Sequence, residues 1–101
     1  MAAKKRVAKT VETRSPNKPG FRRQLDAVKY DAMKKALLAF FPKQAPGKTQ
    51  SQMWTRAKSV DKSMFPGTTS SWWAKSVQLD LEARGQLVRE KTRPLRWHRA
   101  R

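Results

Sequence analysis

The sequence predicts a mainly α domain with a small β-hairpin, preceded by a disordered basic N-terminal arm. Three observations point there. Apolar residues recur at helical spacing in three stretches set apart by Pro and Gly. After Gly85 the spacing changes from helical to alternating. Before Gly20 little can pack, and Ser15-Pro16-Asn17-Lys18-Pro19-Gly20 is a cluster of chain breakers. The boundary is therefore placed there, with residues 1–20 a flexible arm and residues 21–99 one domain.

Leu25 to Phe41 reads as the first helix, with Asp26 as its N-cap. Leu25, Met33, Ala36, Leu37 and Phe40 fall at helical spacing, Val28 and Ala32 widen the stripe, and Pro42 ends it. Gln44 to Lys48 is a turn. Thr49-Gln50-Ser51-Gln52 is a capping box, in which a hydroxyl and an amide each satisfy a free backbone N–H. It opens a second helix to about Val60, with Met53, Trp54 and Ala57 inward. Thr68 to Ser71 offer N-caps for a third helix to about Arg84, and Gly85 takes the left-handed position after it. Ala74, Val77 and Leu81 share its core face with Trp73 on the flank, while Trp72, Leu79 and Ala83 lie opposite. Gln86–Lys91 and Leu95–Arg99 read as strands around the turn Thr92-Arg93-Pro94, with Leu87, Leu95 and Trp97 facing the helices.

A chain of 101 residues has room for one small core. It carries 24 Lys and Arg against seven Asp and Glu, for a net charge of +17. Such a charge speaks about partners rather than fold and favours polyanions. It is concentrated at the ends: residues 1–23 carry net +7 and residues 84–101 net +6. No apolar run approaches the roughly 20 residues that span a bilayer, so no membrane is expected and the cytoplasm is. The absence of Cys excludes disulfide, iron–sulfur and Cys-based zinc sites, and the single histidine, His98, excludes a His-rich metal site. No metal or cofactor is expected.

No catalytic constellation emerges, so the expectation is a non-enzymatic protein. The acidic residues are scattered, and Asp80 and Glu82 point about 200° apart on a helix. His98 stands among arginines with no orienting carboxylate evident. Ser70 and Ser71 are better explained as helix caps than as nucleophiles. Lys48-Thr49 after Gly47 lacks the preceding Gly that a phosphate-binding loop needs. Trp54, Trp73 and Trp97 read as core, whereas Trp72 and Leu79 form a candidate partner or dimer surface.

The capped second helix, followed by a third ending Leu81-Glu-Ala-Arg-Gly85-Gln-Leu87-Val-Arg, resembles a winged-helix (winged helix-turn-helix) domain over about residues 25–99. That resemblance implies a first strand of a residue or two near Pro46-Gly47. It also implies a DNA-facing third helix, with Ser70, Ser71 and Lys75 toward DNA. Lys48 and Thr49 would touch the backbone, and Arg89, Lys91, Arg93 and Arg96 would be wing contacts. Lys4, Lys5, Arg6 and Lys9 would follow phosphates as an arm. A further set of stretches resembles an uncharacterised family of small bacterial proteins: Pro16-Asn17-Lys18-Pro19-Gly20, Asp26-Ala-Val-Lys-Tyr30-Asp-Ala-Met33, Phe65-Pro66-Gly67, Trp72 to Gly85 and Pro94-Leu-Arg-Trp97. The sequence thus leads to a binder of double-stranded DNA with weak sequence specificity, nucleoid-type or accessory, located at the bacterial nucleoid. An RNA- or ribosome-associated basic protein remains an alternative. So does an interaction module or homodimer built on Trp72 and Leu79.

Overall fold

A computed structural model describes residues 9–17 and 20–100. The order of elements is β1 (Thr10–Thr13), β2 (Arg23–Asp26), α1 (Ala27–Phe40), β3 (Lys48–Thr49), α2 (Gln50–Ala57), α3 (Thr69–Ala83), β4 (Leu87–Glu90) and β5 (Arg96–Arg99). The strands form two antiparallel sheets, a β1–β2 hairpin and a three-stranded sheet ordered β3-β5-β4.

This corrects the expected fold class. Among the described residues, three helices and five strands in two sheets make a small α+β domain, not a mainly α three-helix winged-helix domain with one hairpin. Part of the expected disordered arm is ordered structure, because Thr10–Thr13 pairs with Arg23–Asp26. Val11 lies opposite Leu25 in that pairing, and both pack on the core. Lys4, Lys5 and Arg6 lie outside the described residues; Lys9 is described, and its carbonyl accepts from the Ala27 N–H at 2.9 Å.

Asp26 caps α1, its carboxylate accepting the Lys29 N–H at 2.9 Å, and the capping box of α2 forms as expected. Leu25 belongs to β2 rather than to the helix. α3 ends in a Schellman motif. Gly85 adopts φ 79°, the Gln86 N–H donates to the Leu81 carbonyl at 2.8 Å, and the Gly85 N–H donates to that of Glu82 at 3.1 Å.

The core lies where α1, α2 and α3 meet. Met33, Leu37 and Phe41 are wholly buried with Met53 and Ala57 of α2 and Ala74, Val77 and Leu81 of α3. The three-stranded sheet adds Leu87 and Trp97 to this cluster. Two inward assignments are corrected. Trp54 lies about 100° around α2 from Met53 and turns toward solvent. Leu95 precedes β5, escapes its alternation and is also exposed.

Candidate nucleic-acid interface

α3 exposes one strip, and the two hairpins flank it. On one side Asp80, wholly buried, fastens the β1 end to the helix. Its carboxylate accepts the Arg14 backbone N–H at 2.8 Å, the Arg84 Nε–H at 2.9 and 3.0 Å, and the Tyr30 hydroxyl. Arg84 also donates to the Glu12 carbonyl at 2.6 Å. A buried carboxylate is tolerable only when paired and hydrogen-bonded in this way. Burial, and then the bond to Asp80, push the Tyr30 phenol above its ordinary range. Hydrogen bonding to Asp80 likewise raises the Arg84 guanidinium.

On the other side Glu82 is the anchor. It accepts from Trp97 Nε1 at 3.1 Å and Gln78 Nε2 at 3.0 Å, and it pairs with Arg89 at 2.8 Å. The Arg89 guanidinium and the Lys75 ammonium lie 5.8 and 5.9 Å from the centre of the Trp97 ring. This ties the β4–β5 hairpin to the helix. Burial pulls the Lys75 ammonium below the usual lysine range, with the nearby Arg89 charge adding to the effect.

Between α3 and the β1–β2 hairpin lies a cleft of about 350 Å³. Trp72 and Leu79 line it from the helix, Phe21 and Arg23 from the hairpin, and Arg14 brings a further cation; Lys75 also lines it, with its ammonium turned to Trp97. The Arg23 guanidinium sits 5.4 Å from the centre of Phe21 and 5.8 Å from that of Trp72. Trp72 stands edge-on to Trp73 at 5.3 Å, and Trp73 does the same against Phe65 at 5.8 Å. An exposed indole is thereby braced on the core.

The residues expected to meet DNA are dispersed. Lys91 and Arg93 are exposed at the tip of the β4–β5 hairpin, with no ion-pair partner among the described residues. Arg89 is engaged by Glu82, and Arg96 donates to the Gly47 carbonyl at 2.9 Å. Lys48 lies 5.6 Å from the centre of the Phe40 ring, on another part of the surface. Thr49 is buried as the cap of α2. Ser70 is buried beneath the start of α3, so it does not face a ligand; Ser71 is half-buried. Lys75 joins Trp72 and Leu79 in the cleft, uniting a residue assigned to DNA with two assigned to a protein partner.

Sequence reasoning missed Arg14, Phe21 and Arg23, because a cleft between segments distant in the chain has no local spacing to read. It also treated Asp80 as one of several scattered acids. The separation of four residues from Arg84 was the available signal. His98 does have a carboxylate beside it, since Glu90 accepts from Nδ1 at 2.7 Å. That pair bridges β4 and β5, both side chains being largely buried. No group of three or more potential metal-ligating side chains converges among the described residues, and none of the described helices is long and apolar enough to cross a membrane.

Fold and site together define a small basic α+β domain with an aromatic cleft ringed by cations. The chain belongs to a family of unknown function (DUF6958), which matches residues 10–97. The match begins at the first residue of β1, so the β1–β2 hairpin lies within it. No curated protein and no solved structure matches the chain.

Proposed function

We propose that this protein binds nucleic acid without catalysis, favouring duplex DNA with weak sequence specificity, as an accessory, nucleoid-type binder. The observation that carries this reading is an excess of positive charge that the fold does not neutralise. Glu12, Asp80, Glu82 and Glu90 are engaged by Arg22, Arg84, Arg89 and His98. Asp26 and Asp61 accept backbone N–H groups. Few acids are left to answer 24 basic side chains. Arg14, Arg23, Lys91 and Arg93 point their charge at solvent, where phosphates replace counterions at a gain in entropy. Weak specificity follows from the outward strip of α3. It offers Lys75 and Ser76 but few long polar side chains to read base edges.

Charge reversal at the hairpin tip tests this. Lys91→Glu with Arg93→Glu alters two exposed side chains that hold no ion pair among the described residues. The double variant is expected to weaken binding to duplexes of any sequence and to reduce the salt slope by about 2. Unchanged affinity removes the tip from the interface. Tighter binding to structured RNA than to duplex DNA at equal salt would transfer the proposal to RNA.

A further inference from the structure

We infer that the cleft between α3 and the β1–β2 hairpin receives one unpaired nucleotide of a bound DNA strand, with the base against Trp72 and its phosphate between Arg14 and Arg23. This rests on the nucleic-acid reading above and narrows it to DNA that carries an unpaired end or gap.

The cleft is small. About 350 Å³ falls at the small end of ligand sites, which suits a single nucleotide rather than a peptide segment. The lining combines an exposed indole, a phenyl ring and the half-buried Leu79 with the Arg14 and Arg23 cations and no carboxylate. An apolar protein partner would bury those cations without compensation. A nucleotide supplies both complements at once, a flat aromatic plane and a negative charge.

The stacking face is preorganised. Trp72 remains 44% exposed, yet Trp73 holds its edge and the core holds Trp73. A platform fixed in advance loses little freedom when a base lands on it. Arg23 hovers over Trp72 and Phe21 with its planar guanidinium. It belongs to an exposed side chain on β2, so it can swing out to cover an arriving base or meet its phosphate. A base stacked inside a duplex cannot enter such a cleft, because its faces already belong to its neighbours. Only an unpaired one presents a free face.

Fluorescence anisotropy of the full chain with a blunt duplex, and with the same duplex carrying a short unpaired thymine tail, tests the inference at fixed salt. The wild-type chain is expected to bind the tailed duplex more tightly. Trp72→Ala is expected to lose roughly 5- to 150-fold on the tailed duplex, the range of one stacked base. Its loss on the blunt duplex should be smaller, and an unchanged far-UV circular dichroism spectrum shows that the variant is folded. Trp72→Phe, which keeps a stacking face, should retain most of the preference.

Equal wild-type affinity for the two duplexes overturns the inference while leaving duplex binding intact. So does an equal loss on both in Trp72→Ala, because the indole would then serve the fold or the general interface. A dimer that dissociates in Trp72→Ala, with affinity for the tailed duplex unchanged, assigns the cleft to a second copy of the chain instead. Binding of neither duplex by the wild-type chain removes the nucleic-acid reading itself.

Discussion

Asp80 shows how one residue governs the geometry of the candidate site. Wholly buried, it joins α1 through Tyr30, the chain after β1 through Arg14, and the end of α3 through Arg84. The wall of the cleft opposite α3 depends on that junction. Its spacing of four residues from Arg84 is shared by Asp31 and Lys35, so nothing local marks Asp80 out, and its burial emerges only once β1 covers it. Tyr30 permits a direct test. Its phenol is raised in the fold, so its contribution is complete below the free value of 10.0 and is lost as pH rises beyond it. Tyr30→Phe should lower stability at pH 7 by about 1.5–3 kcal/mol, the usual worth of a hydrogen bond to a charged group. It should also flatten the fall in stability above pH 10. Urea denaturation across pH 7 to 11 measures both. An alkaline limb as steep in the variant as in the wild type would assign that limb to other groups.

At the scale of elements, legibility followed the strength of local signals. The capping box of α2, the Asp26 cap and the Gly85 stop are short-range devices, and all three were readable with their mechanisms. Strands were harder. β3 is two residues long and exists because β5 pairs with it. β1 carries the β-branched Thr10, Val11 and Thr13, which favour a strand, but its basic surroundings read as an arm. The cleft was half legible: Trp72 and Leu79 marked an unpartnered helix face, but Arg14 and its neighbours opposite were placed in the arm, outside the domain. Gly47 is the joint of the three-stranded sheet. A Cβ there would stand 1.8 Å from the Trp97 carbonyl oxygen and 2.6 Å from Glu90 Oε2. Gly47→Ala must therefore push β3 away from β5, at a cost of at least about 1–3 kcal/mol. A lower urea midpoint at unchanged m-value is the expected reading; a wild-type midpoint would mean that the sheet accommodates the methyl by shifting.

For the whole molecule, net charge is the property the sequence states most plainly and the fold changes least. Folding brings four of seven carboxylates to Arg or His partners and leaves a large cationic surplus at the surface. The fold determines where that surplus can act together with aromatic surface, which is the cleft beside α3. Its two walls come from segments far apart in sequence, Arg14 to Arg23 and Trp72 to Leu79. The most direct measurement is a salt titration of binding to a random-sequence DNA duplex, with matched RNA and single-stranded DNA alongside. If six to ten phosphates are neutralised, affinity for the duplex should fall about 10³- to 10⁵-fold between roughly 50 and 200 mM salt, with the duplex bound more tightly than RNA. A flat salt response, or binding too weak to measure at the lower salt, would contradict the account.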